Sequence, residues 1–138
     1  MEEENRPIIG ISCGDLNGIG MEVIMKTFAD SQMLELCTPV LFASSKVASY
    51  HRKALNMNDF NYQIINGLDQ INPKKFCLYN VWNDQVDLQF GTNSKEVGAF
   101  ALKSIDAGIE AWRNGQIAAL VTAPINKNNI EIPEKAFT

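Results

Sequence analysis

Two short segments carry the residue types that chemistry needs. The first is Ile11-Ser12-Cys13-Gly14-Asp15-Leu16-Asn17-Gly18-Ile19-Gly20 and the second is Thr122-Ala123-Pro124-Ile125-Asn126-Lys127. In the first, an apolar run meets a glycine-punctuated turn and a helical pattern starts behind it. Turns at the carboxyl end of a strand are where open α/β sheets hold ligands. Glycine permits positive φ and close approach to the backbone, and a helix start offers unpaired N–H groups to an anion. The glycines at 14, 18 and 20 match neither G-x-G-x-x-G nor the Walker pattern, and Asp15 would repel a pyrophosphate. Two readings stand: a ligand-cleft wall, or a packing turn in which Asp15 or Asn17 bonds local N–H groups.

In the second segment Pro124 ends a strand and biases Ala123 toward an extended conformation. Thr122, Asn126 and Lys127 then emerge at a strand's carboxyl end. In a parallel sheet that is the same edge as the glycine turn, so the two polar turns can wall one cleft. Lys127 taken alone also fits a solvated surface ammonium.

Other reactive groups are sparse. The one histidine, His51, lies beside Arg52 and Lys53 in a segment that reads as a surface helix, which predicts a solvated imidazole. Cys13, Cys37 and Cys77 are odd in number, form no Cys-x-x-Cys and sit in or beside apolar runs. They read as buried free thiols in a reducing cytoplasm. One histidine and scattered cysteines cannot build an ordinary His- or Cys-rich metal site.

The elements that must position these groups follow from apolar runs and punctuation. Strands are expected over 8–13, 39–43, 62–65, 76–81 and 118–122. Helices are expected over about 19–29, with Val23, Ile24, Thr27 and Phe28 on one face, and from Ser44 or Ser45 to about residue 55. A short pattern over 31–36 either extends the first helix or forms its own turn. The clearest helix covers about 94–113, where Val97, Ala101, Ile105, Ile109 and Trp112 make one apolar stripe. Asn93 and Glu96 resemble a capping box, and Asn114-Gly115 supplies a left-handed stop. The non-alternating run 117–122 predicts a strand covered on both faces. Strands alternating with helices specify an α/β class with a largely parallel sheet.

The totals exclude several functions. The 138 residues suit one domain, and 46% apolar with 20% charged residues is ordinary for a globular protein. A net charge of −4 without a basic run argues against nucleic-acid binding. The acidic N-terminus lacks a secretory apolar region. No apolar stretch approaches the roughly 18 residues of a membrane span.

The opening strand with its Gly14-Asp15-Leu16-Asn17-Gly18-Ile19-Gly20 turn, the 98–115 helix running into Thr122-Ala123-Pro124-Ile125-Asn126-Lys127, and the terminal Phe137-Thr138 together carry a resemblance. The chain resembles the N-terminal part of the 4-hydroxythreonine-4-phosphate dehydrogenases of pyridoxal phosphate biosynthesis. Phe137-Thr138 looks like the start of that family's Phe-Thr-Gly-His-Thr-Glu segment. The glycine turn is also similar to the opening of isocitrate and isopropylmalate dehydrogenases. Family members often have Pro-Gly-Glu/Asp-Pro-Ala/Ser-Gly-Ile-Gly here; with Cys13, Leu16 and Asn17 in place of three of those residues, this turn is less rigid.

The resemblance implies a three-layer, mostly parallel sheet, with residues 1–138 as the N-terminal part of the first of two α/β domains. It implies NAD-dependent oxidation of 4-phosphooxy-L-threonine, decarboxylation to 3-amino-2-oxopropyl phosphate, a divalent metal (Zn, Mg or Co) and a cytoplasmic homodimer. The family's catalytic residues, metal ligands, and nicotinamide- and phosphate-binding segments have no counterpart in these 138 residues. This chain alone is therefore expected to be inactive and to hold neither cofactor. What it offers are cleft-wall candidates: Lys127, Asn126, Thr122, Asp15, Asn17 and Thr138. Lys127 would neutralise a substrate oxygen or support a hinge, and Asp15 or Asn17 would orient a neighbouring group. Competing readings are a D-threonate or D-erythronate 4-phosphate dehydrogenase of the same family, a phosphate acyltransferase, and a non-enzymatic flavodoxin-like ligand-binding domain.

Overall fold

The computed structural model describes residues 6–126 and residue 129. The chain order is β1 (Ile8–Ser12), α1 (Gly20–Phe28), α2 (Met33–Leu36), β2 (Thr38–Ala43), α3 (Ser45–Ala54), β3 (Gln63–Ile65), a 3-10 turn (Leu68–Gln70), β4 (Cys77–Asn80), α4 (Lys95–Arg113) and β5 (Ala119–Thr122). The strands form one sheet in the order β3-β4-β2-β1-β5, and every ladder is parallel. The expected α/β class is therefore observed.

Side-chain alternation along the strands divides the core in two. Ile11, Leu41, Ala43 and Leu78 pack with Met21, Ile24 and Met25 of α1 and Val47 and Ala48 of α3. Val40, Phe42, Ile65 and Cys77 point the other way, toward Ala107 and Ala111 of α4. β2, paired on both sides, is buried throughout. Helices thus cover both faces, as a parallel sheet requires.

β1 occupies the position where the strand order reverses. β2 lies on one side of it and β5 on the other, with Ser12 in register with both Phe42 and Thr122. The carboxyl ends of β1 and β5 consequently open side by side, as expected of a ligand-binding crevice.

Several local expectations need correction. On α1, Met21, Ile24 and Met25 are buried, whereas Val23 is 46% exposed and Thr27 is exposed. The packing face is rotated from the expected one of Val23, Ile24, Thr27 and Phe28, with Ile24 common to both. The cap of α4 is Ser94, whose hydroxyl accepts the Val97 N–H at 3.2 Å, and not Asn93. Asn93 uses its side-chain oxygen to accept from Asn126. The stripe of α4 also shifts. Val97, Gly98, Ala101, Ser104, Gly108 and Ala111 are buried, while Ile105 and Ile109 are half-buried and Trp112 is exposed. Small residues face the sheet because they let the helix backbone approach it.

β5 was expected to be covered on both faces. Instead it is an edge strand paired only with β1, and Val121 is 54% exposed. Its sequence pattern is that of an interior strand; among the described residues nothing pairs with its second edge. His51 also differs from expectation. It is buried, 1% exposed, with Nε2 2.9 Å from the Leu16 carbonyl oxygen. The turn after β1 folds over α3 and removes the imidazole from solvent.

One side chain ties α4 to the two central strands. The Ser104 hydroxyl accepts the Cys13 N–H at 2.9 Å and donates to the Phe42 carbonyl, wholly inside the core. Ser104→Ala is expected to destabilise the fold by about 1–3 kcal/mol, because it strands a buried donor. The urea midpoint should fall at an unchanged slope. Burial holds the pKa of His51 below its usual value of 6.5, opposed by the bond to Leu16. The unfolded chain therefore takes up the proton first as pH falls. His51 contributes stability above about pH 6.5 that is lost on acidification toward its folded-state value. Between pH 7 and 5.5, urea titrations should show a larger loss for the wild type than for His51→Gln.

Candidate functional site

The candidate site is the edge where the turns after β1 and β5 meet. β1 ends at Ser12, and Gly14 follows with φ at +71°. A Cβ on Gly14 would collide with the Pro124 carbonyl and lie 2.9 Å from the Ala123 Cβ. Only glycine lets the two turns touch this closely. The contact is closed by the Asp15 N–H, which donates to the Pro124 carbonyl at 2.8 Å.

Asp15 is half-buried, and one oxygen of its carboxylate is engaged. Oδ1 accepts the Asn17 N–H at 3.0 Å, an Asx turn, and also faces Asn129 Nδ2 at 3.4 Å. Asn129 in turn accepts the Ser94 N–H at 2.6 Å through its Oδ1, which joins this edge to the start of α4. A Cβ on Gly98 would collide with the Asn129 backbone carbonyl, so the first turn of α4 is also pressed against this segment.

Asn17 is only 2% exposed and is fully engaged. Its Oδ1 accepts the Gln89 N–H at 2.9 Å, and its Nδ2 donates to the carbonyl and hydroxyl oxygens of Thr92, each at 3.4 Å. Its backbone carbonyl accepts from Gly91. Asn17 therefore faces the protein and clamps the 89–92 loop onto the glycine turn. The local bond expected at this turn is made by Asp15 to the Asn17 N–H, whereas every side-chain bond of Asn17 reaches a loop more than seventy residues away.

Asn126 is half-buried and donates through Nδ2 to Asn93 Oδ1 at 2.7 Å. Thr122 ends β5 in an exposed position and borders an apolar groove of about 260 Å³, which Ile9, Val23, Phe28 and Val121 also line. Lys127 and Thr138 lie outside the described residues. The structure thus brings together Asp15, Asn126 and Asn129 at one edge, sets Thr122 beside it and turns Asn17 inward. The sequence reading missed Asn93 and Asn129. The signal was the density of asparagines at 93, 126, 128 and 129, a residue type that bonds exposed backbone at turns.

Cys13 lies at the base of the site but is not a nucleophile. It is completely buried, and desolvation pushes its pKa up to about 12, with Asp15 adding to the rise and Ser104 opposing it. The thiol stays protonated at neutral pH. Among the described residues no three His, Cys, Asp or Glu side chains converge to hold a metal ion. The glycine turn does not offer an open phosphate cradle either, since Gly14 is filled from outside by Pro124.

Comparison with known proteins places this architecture. The sequence pattern of the family described as "Pyridoxal phosphate biosynthetic protein PdxA" matches residues 35–138. A Bacteroides thetaiotaomicron protein named 4-hydroxythreonine-4-phosphate dehydrogenase is 45% identical over 135 residues, covering 98% of this chain and 37% of that protein. A Clostridium botulinum protein, provisionally named D-threonate 4-phosphate dehydrogenase, is 30% identical over 134 residues, covering 91% of this chain and 38% of its own length. The crystal structure of a 4-hydroxythreonine-4-phosphate dehydrogenase from Burkholderia phymatum superposes with a TM-score of 0.81 at 26% identity, covering 90% of this chain and 38% of that one. The chain spans somewhat more than a third of the length of the relatives it matches. With the family pattern running through three-quarters of its residues, and the fold shared across nine-tenths of them, the chain belongs to the PdxA family.

Proposed function

We propose that this chain forms one wall of the substrate cleft of an NAD-dependent 4-hydroxythreonine-4-phosphate dehydrogenase. The reaction is oxidation of the C3 hydroxyl of 4-phosphooxy-L-threonine, then loss of CO2 to give 3-amino-2-oxopropyl phosphate in pyridoxal 5'-phosphate biosynthesis. The observation that carries this reading is the junction of the two turns at the carboxyl edge, closed by the Asp15 N–H and the Pro124 carbonyl. The choice of substrate is supported by the 45% identity to the Bacteroides protein. Oxidation of D-threonate 4-phosphate is the second reading, favoured by the 30% identity to the Clostridium protein.

The described residues do not fit the nicotinamide or the divalent metal of this reaction. The metal needs converging donors that are absent among them, and the one imidazole is committed to a backbone carbonyl. In this reading both groups are held elsewhere in the protein, in a cytoplasmic homodimer. The part played by this chain is to shape and close one side of the cleft. The Asp15 N–H and the Pro124 carbonyl fix the two turns against each other, Asn126 ties the second turn to Asn93, and Lys127, just past Asn126, supplies the cation that offsets the substrate's charge. Among the described residues no helix is long and apolar enough to cross a membrane.

Three outcomes follow. The 138 residues alone should give no NADH from 4-phosphooxy-L-threonine and retain no divalent metal after dialysis. Turnover by this chain alone would overturn the assignment of hydride acceptor and metal to other parts of the protein. In the full-length protein, Lys127→Ala should lower kcat/KM by at least about tenfold, roughly 1.4 kcal/mol of transition-state binding. An unchanged kcat/KM would make Lys127 a surface ammonium. Assayed side by side, 4-phosphooxy-L-threonine should be the better substrate; preference for D-threonate 4-phosphate would select the second reading.

A further inference from the structure

His51 is the chain's one imidazole, and it is buried with a committed geometry. Its Nε2 lies 2.9 Å from the Leu16 carbonyl oxygen. A carbonyl only accepts, so Nε2 carries the proton and, in the neutral ring, Nδ1 does not. Leu16 sits between Asp15, which meets β5, and Asn17, which clamps the 89–92 loop. The second contact of the imidazole is to that same loop. The Phe90 ring meets it at 67° with centroids 5.2 Å apart, and the amides on either side, of Gln89 and Gly91, both donate to Asn17. Two segments more than seventy residues apart in sequence therefore converge on one side chain of α3.

We propose that His51 is a positioning residue for the cleft. Its Nε2–H holds the Leu16 carbonyl while its ring seats Phe90, so the glycine turn and the 89–92 loop are fixed to α3 as one unit. The turn needs such a tie. It has glycines at 14, 18 and 20 and no proline, so its own backbone does little to select one conformation. The tie acts through the Leu16 carbonyl, whereas the contact with Pro124 is made by the amide of Asp15, the residue before it. Losing the tie would misplace the cleft wall without removing any group that faces substrate. This inference rests on the reading of that edge as a wall of the substrate cleft.

The test compares wild-type full-length protein with His51→Leu and His51→Gln. Gln places an N–H near the position of Nε2 and Leu does not. Amide exchange over 14–20 and 86–92 should rise about tenfold or more in His51→Leu, while β2 and β4 stay protected and His51→Gln remains close to wild type. With 4-phosphooxy-L-threonine, KM should rise about fivefold or more in His51→Leu with kcat little changed, and His51→Gln should recover most of it. If the Leu variant folds poorly, His51→Asn takes its place, being polar but too short to reach the carbonyl. Exchange that rises evenly through the fold, or fails to rise at 86–92, overturns the proposal. So does failure of Gln to rescue. Local loosening with an unchanged KM overturns the cleft role of the tie. Absence of turnover by the wild type would instead overturn the proposed function, and the exchange result would still decide the tie.

Discussion

The hydrogen bond from the Asp15 amide to the Pro124 carbonyl is the contact on which the candidate site depends. It exists because β1 is flanked by β2 and β5 in parallel register, so that two strand ends open at one level. It also needs Gly14, since any side chain there would occupy the place of the Pro124 carbonyl. From this junction the remaining bonds spread outward. Asp15 caps Asn17, Asn17 holds the 89–92 loop, and Asn129 links Asp15 to the amide of Ser94, the cap of α4. A set of backbone groups that would otherwise be unsatisfied is closed by short amide side chains.

The same edge shows how the candidate site and the core share residues. Ser104 bonds the Cys13 amide and the Phe42 carbonyl from the middle of α4, directly below the turn. The proximity of Cys13 to the site is therefore structural. Its thiol is buried and protonated, and its backbone is what the fold uses. His51 is a second case, a polar side chain whose importance comes from a carbonyl it holds and a ring it supports.

Much of the architecture was legible in the sequence because its signals are local. The runs that became β1, β2 and β4 are apolar and bounded by turn residues, and Ser44 caps the helix it precedes. The two turns could be placed at one edge because parallel strands share a direction. What was not legible depends on partners distant in sequence. His51 looked solvated beside Arg52 and Lys53, and only the turn folding over α3 buries it. The inward aim of Asn17 follows from a loop more than seventy residues away. Large apolar residues suggested the face of α4, yet the sheet meets the small ones, because close approach of backbones decided the packing. β5 reads as an interior strand and stands at an edge, since strand composition reports the environment a strand is suited to and not its neighbours.

The small-residue seam of α4 has a mechanical meaning. A 19-residue helix is a rod of roughly 28 Å at 1.5 Å per residue. Ala111 and Gly108 seat one end of this rod, and its other end delivers the Ser94 and Gly98 backbone to Asn129 and the junction of the two turns. Rods transmit displacement better than loops do. A side chain enlarged at Ala111 would lift that end and tilt the other, shifting the junction of the two turns from more than four helical turns away. The placing of this junction is in this sense set by the thinness of residues that never touch it.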